Sequence, residues 1–186
     1  MLDMMQSTRV PEELLIRIVL DLLMVLKYLH NHCKVMHRDL NPSNILIDFN
    51  LSIKVTDFGL SQDITQGLNR EKAFEGTLAY SSPETIENVT ADDKADIWSL
   101  GCVIYELIEL RQTFQSTNPL TLAKMITHGE FQPPKKDTTN PKLYNLVMDC
   151  LTVNPEDRPC VSDLLVNWID EMIDYNCTLK TKLTNV

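Results

Sequence analysis

A chain of 186 residues, 44% of them hydrophobic, is long enough for one domain with a real core. Its formal net charge of -9 excludes the basic face that a phosphate-backbone-binding protein needs, so nucleic acid is not an expected partner. The five cysteines are odd in number, scattered and without a C-x-x-C pair, which indicates neither a zinc site nor a disulfide framework.

The first residues show no basic region followed by an apolar one, so no signal peptide is expected. Together with the cysteine usage, this points to a reduced intracellular compartment, cytoplasmic or nuclear. From Pro11 to about Asn31, Leu14, Leu15, Ile18, Leu22, Val25, Leu26 and Leu29 recur at three- and four-residue steps, the pattern of an amphipathic helix. Arg17 and Asp21 interrupt its most apolar stretch, which makes it a buried helix and not a membrane span. His30, His32 and Cys33 lie close together at its end, where an exposed helix end is favoured over a metal site.

The chain is organised around His37-Arg38-Asp39-Leu40-Asn41-Pro42-Ser43-Asn44, with Asp57-Phe58-Gly59 a short way downstream. Between them, Ile45 to Ile47 and Ile53 to Thr56 read as two short strands turned at Asp48-Phe49-Asn50. That hairpin sets Asn44 and Asp57 at neighbouring strand ends, as a shared metal requires. Hard oxygens on two short loops suit magnesium, which keeps several waters and takes few protein ligands.

Residues 59–84 carry little apolar periodicity and read as a long loop, ending in Gly76-Thr77-Leu78-Ala79-Tyr80-Ser81-Ser82-Pro83-Glu84. Asp96-Ile97-Trp98-Ser99-Leu100-Gly101 opens a strongly apolar helix to about Leu110. Asn118-Pro119 is a cap-plus-first-position start for a helix ending near His128-Gly129. Two more helices are expected, from about Lys142 to Leu151 and from Ser162-Asp163 to about Tyr175. No internal repeat or second domain is evident.

With these motifs in order, residues 1–170 resemble the C-terminal lobe of a eukaryotic protein kinase, and 171–186 read as the end of the last helix and a frayed tail. The resemblance implies a mainly α fold with a β-hairpin at the catalytic edge, ATP and Mg2+ as cofactors, and a protein substrate. It implies that Asp39 is the base taking the acceptor hydroxyl's proton, that Asn44 and Asp57 ligate magnesium, and that Leu46 floors the adenine. It further implies that His37 and Phe58 stack, that Asp96 braces the catalytic-loop backbone, and that Glu84 pairs with Arg158. Gly59 completes the D-F-G, and Thr77 is the serine/threonine-kinase residue whose hydroxyl contacts the catalytic Asp. The stretch from Phe114 through Ile126 is similar to the NIMA-related kinases.

Three departures qualify the resemblance. No G-x-G-x-x-G occurs, so the family's N-terminal lobe is expected to be absent, leaving an exposed nucleotide face for a missing lobe or partner to cover. Asn41 stands where the family carries a Lys contacting the transferred phosphoryl group; losing one such donor typically costs about 3 kcal/mol, although Asn can still donate a hydrogen bond. Arg38 commonly holds an activation-loop phosphate, yet Ala73 occupies the usual phosphosite, with Glu71 and Glu75 beside it and Thr65 and Ser61 as other candidates. The reading is therefore transfer of the ATP γ-phosphoryl group to Ser/Thr of proteins, with a catalytically inactive binding or scaffold module as the alternative.

Overall fold

The computed structural model describes residues 9–64, 77–89, 91–137, 139–170 and 173. The expectations on Thr65, Glu71, Ala73, Glu75 and Gly76, and on the tail after Ile173, lie outside the described residues.

Helix α1 spans Glu12–Lys27 and continues into a π-helical turn, Tyr28–Cys33. Pro11 sits just before it in an extended conformation and Glu12 and Glu13 fill its first turn, where carboxylates favour the positive end of the dipole. Its apolar stripe buries Leu15, Ile18, Leu22, Leu23 and Leu26. Lys34, at a φ of 56°, ends the turn and releases the chain into strand β1, Val35–Met36.

After the loop running from His37 to Asn44 come β2 (Ile45–Ile47) and β3 (Ile53–Val55), paired antiparallel with Ile45 opposite Val55. The turn between them is held by Asp48, whose Oδ1 accepts from the Asn50 and Ser52 N–H groups at 2.8 and 2.9 Å. Beyond Gly59 the expected loop yields a short strand, β4 (Gln62–Asp63), paired antiparallel with β1. With two residues a side, it has no periodicity to read. The end of that loop also holds a 3₁₀ turn at Leu78–Tyr80 and helix α2 at Pro83–Ile86.

The centre of the molecule is α3, Lys94–Glu109. It is buried nearly all round, including Ile97, Trp98, Leu100, Val103, Ile104 and Tyr105, as expected of a helix whose middle is apolar on most faces. It starts two residues before Asp96, because Asp92 and Asp93 turn the chain in. Helix α5 (Pro141–Cys150) packs on it and α6 (Val161–Asn167) on α1, while α4 (Pro119–Thr127) packs on α2 and the 3₁₀ turn. Gly101 lets α3 approach α5 closely: a Cβ there would lie 2.7 Å from the Cys150 Cβ. Trp98 stacks on Phe114 at 5.7 Å, and Phe131 meets both Phe114 and Tyr105 edge-on. The fold among the described residues is thus mostly helical with small antiparallel pairs, and no helix is long and apolar enough to cross a membrane.

One expectation is corrected here. His30 is not part of an exposed helix end; it is 2% exposed, with Nε2 donating to Asp96 Oδ2 at 2.8 Å. The π-helical turn rotates it inward while His32 and Cys33 remain in solvent. Among the described residues no group of three or more His, Cys, Asp or Glu side chains is placed to hold a metal.

Candidate active site

The site is assembled on the loop between β1 and β2. Asp96, 0% exposed at the start of α3, accepts from the backbone N–H groups of His37 and Arg38, each at 2.8 Å, as well as from His30. One buried carboxylate therefore ties the loop backbone to both central helices. It also holds Arg38 at a φ of 70°, a left-handed conformation that costs energy in a non-glycine residue. The Arg38 guanidinium donates to Gln62 Oε1 at 3.0 Å, linking the loop to β4.

His37 is fully buried, and its partners fix its tautomer. Nε2–H donates to the Thr56 carbonyl at 3.0 Å, while Nδ1 accepts from the Asp39 N–H at 3.3 Å. The Phe58 ring meets it edge-on at 4.9 Å. The imidazole thereby spans the two motif segments, with Asp39 on one side and the strand leading to Asp57 on the other.

The Asp39 carboxylate is clipped at both oxygens. Oδ1 accepts from the Thr77 N–H at 3.1 Å, and Oδ2 from Asn44 Nδ2 at 3.0 Å. The same Asn44 amide donates to the Asp39 carbonyl at 2.9 Å, so both of its hydrogens are committed to Asp39 and its Oδ1 is the end left to ligate a cation. Asp57 sits at a φ of 61°, capping the turn through Oδ1 to the Gly59 N–H at 3.2 Å, and is exposed. Thr56 N–H donates to the Asn44 carbonyl at 2.9 Å, so the hairpin carries Asp57 to within one residue of the Asn44 backbone. Two hard oxygen donors on adjacent strand ends fit a magnesium ion that takes its remaining ligands from phosphate and water. Leu46, on the edge of the hairpin next to Asn44, is 52% exposed.

Two further contacts bear on the expected roles. The Thr77 hydroxyl does not reach Asp39: the contact comes from the Thr77 backbone N–H, and Oγ1 instead accepts from Asn41 Nδ2 at 3.3 Å. Asn41, 4% exposed, also donates to the Asp39 carbonyl at 3.1 Å and accepts from the Ser43 N–H at 2.9 Å, capping the 3₁₀ turn Pro42–Asn44. Both of its amide hydrogens are spent on the protein, which corrects the expectation of a donor free for substrate.

Away from the loop, Glu84 and Arg158 form a buried bidentate pair at 2.8 and 3.0 Å, closing α2 onto the segment before α6. Sequence reading missed a second anchor in this region. The Tyr80 hydroxyl bonds the Glu106 carboxylate of α3, and Ser99 Oγ donates to the Tyr80 carbonyl at 2.8 Å. Burial pushes the Glu106 carboxyl up, partly offset by the Tyr80 bond; burial and that carboxylate push the Tyr80 phenol up. Glu106, the one charged residue within the apolar run Leu100–Ile108, was the available signal.

The comparisons with known proteins agree with this geometry. The protein kinase domain family model matches residues 1–169. The chain is 33% identical over 179 residues to human serine/threonine-protein kinase Nek10, covering 92% of this chain and 15% of that protein. It is 34% identical over 162 residues to Dictyostelium discoideum probable serine/threonine-protein kinase nek2, and 33% over 160 residues to human Nek2, covering 38% and 36% of those proteins. The chain thus spans well under half the length of these relatives. It belongs to the protein kinase family, with Nek-type serine/threonine kinases among its relatives.

Proposed function

We propose that these residues are the C-terminal lobe of a serine/threonine protein kinase, the domain running through 170 and the segment 171–186 following it. The observation that carries this is the Asp39 carboxylate, held at one oxygen by the Thr77 N–H and at the other by the Asn44 amide. A base must be fixed within hydrogen-bond reach of the proton it takes, and the two clips leave the carboxylate little freedom to turn away.

In this reading Asp39 orients the acceptor hydroxyl of a protein Ser or Thr and takes its proton. Asn44 Oδ1 and the Asp57 carboxylate would hold magnesium, which in this family neutralises charge on the ATP phosphates. His37, braced by Thr56 and Phe58, keeps the two segments in register; Arg38, Gly59, Asp96 and the Glu84–Arg158 pair support the same frame. The exposed edge of Leu46 supports a place beneath adenine.

The test is Asp39→Asn in the full-length protein, assayed for γ-phosphoryl transfer to Ser/Thr peptides. Loss of about three decades in kcat with an unchanged melting profile is expected, the scale at which a general base and its orientation contribute. Transfer at the parent rate sinks the assignment of the base. The scaffold reading has its own observation, the exposed apolar side chains Leu46, Phe49 and Phe58 along the hairpin edge. It gains if the parent protein, loaded with Mg2+ and ATP, labels no peptide or protein.

A further inference from the structure

Asn41 is a polar side chain at the heart of the catalytic loop with nothing left to offer a substrate. Its Oδ1 caps the 3₁₀ turn through the Ser43 N–H, and its two amide hydrogens go to the Asp39 carbonyl and the Thr77 hydroxyl. At 4% exposure it cannot reach a bound group without breaking one of these bonds. A turn cap needs only the oxygen. The amide nitrogen therefore does something else, and its two partners say what: Asp39 itself, and the residue whose N–H clips the Asp39 carboxylate.

We propose that Asn41 is a positioning residue, whose amide fixes Thr77 and through it one oxygen of the Asp39 carboxylate, and which donates nothing to the transferred phosphoryl group. The proposal rests on the reading of Asp39 as the base. The Thr77 hydroxyl is the joint in this arrangement. It accepts from Asn41, while the N–H of the same residue donates to Asp39 Oδ1, so the exposed end of the long loop is pinned to the catalytic loop from both sides. Without the Asn41 arm, Thr77 is free to swing and one clip on the carboxylate loosens. Small misplacements of a catalytic group are costly in rate, up to about a hundredfold per ångström.

The experiment uses four variants of the full-length protein. Thr77→Val keeps the backbone N–H and the branched shape but removes the acceptor; Thr77→Ser keeps the acceptor. Asn41→Asp keeps the oxygen that caps Ser43 and removes the donor, and Asn41→Asp/Thr77→Val combines the two. Expected are losses of roughly tenfold in kcat for Thr77→Val and for Asn41→Asp, little change in KM for ATP, and a double variant no slower than the worse single, because both cut one arm. Thr77→Ser should stay within about twofold of the parent. Backbone amide exchange across residues 77–84, read by mass spectrometry, should quicken in the Val and Asp variants and not in the Ser variant. Multiplicative losses in the double variant, or exchange in Thr77→Val equal to the parent's, overturn the proposal. Should the full-length protein transfer no phosphate, the kinase reading fails, and the exchange comparison alone decides whether Asn41 pins Thr77.

Discussion

Arg158 shows how much one buried side chain can hold. All five of its N–H groups are used: Nε to the Thr152 carbonyl, one terminal nitrogen to Glu84 and the Lys94 carbonyl, the other to Glu84 and the Val153 carbonyl. The guanidinium also lies over the Trp98 ring at 5.1 Å. It thus joins α2, the start of α3 and the turn before α6. A lysine would present a point charge to a fork-shaped site and leave two or more carbonyls orphaned. Arg158→Met should cost about 3–5 kcal/mol, since it strands the buried Glu84 charge, and Glu84→Gln/Arg158→Met should recover part of that loss. Urea unfolding monitored by tryptophan fluorescence reads both. A single-variant loss under 1 kcal/mol would mean that Glu84 finds water or another partner.

At the scale of elements, sequence legibility followed the strength of the periodic signal. Helices α1, α3, α4 and α5 lie within a few residues of expectation, because apolar spacing and the Asn118-Pro119 start are local signals. What could not be read were features set by tertiary contact. The β1–β4 pair is too short for periodicity, His30 is turned inward by a π-helical turn, and the Thr77 hydroxyl is directed by a side chain thirty-six residues away. The motif spacing brought Asp39, Asn44 and Asp57 into one neighbourhood, but it is silent on which hydrogens Asn41 keeps. The caps test the local part. Asn118 Oδ1 accepts from the Leu120 and Thr121 N–H groups at 2.9 and 3.4 Å, so Asn118→Ala should destabilise by about 1 kcal/mol. The bond joining the 3₁₀ turn to α3 tests the non-local part through pH. Burial raises the Glu106 carboxyl above its ordinary range, so the native state binds the extra proton. The resulting stabilisation is complete below the unfolded pKa and is lost as pH rises through the folded one. Glu106→Gln keeps an oxygen for the Tyr80 hydroxyl and removes this proton. Its unfolding free energy should vary less with pH above about 4.5 than the parent's, and a parallel pair of profiles would contradict the assignment.

Across the whole molecule, rigidity and openness are segregated. Asp96 anchors the His37–Asn44 loop to α1 and α3, while the hairpin carrying Leu46 and the adjoining Phe58 face outward. Two cavities among the described residues have other linings: one of about 170 Å³ lies between Leu15, Ile108 and Leu143, and another of about 250 Å³ between Leu146, Leu164 and Trp168. Neither contains Asp39, Asn44 or Asp57. Among the described residues Leu46 and Phe58 leave apolar surface exposed at this edge, and a small-molecule site usually buries most of its ligand. A nucleotide seated on Leu46 would gain from whatever covers its other face in the full-length protein. Leu46 would then contribute binding that is equal in ground state and transition state. Leu46→Ala in that protein should raise the KM for ATP by roughly fivefold to thirtyfold, the equivalent of about 1–2 kcal/mol of apolar burial, with kcat little changed. The direction separates the two readings of the edge. A kinase loses ATP affinity at Leu46 and keeps its turnover, whereas in a scaffold the same change leaves ATP titrations flat and weakens only the contact made by the apolar surface.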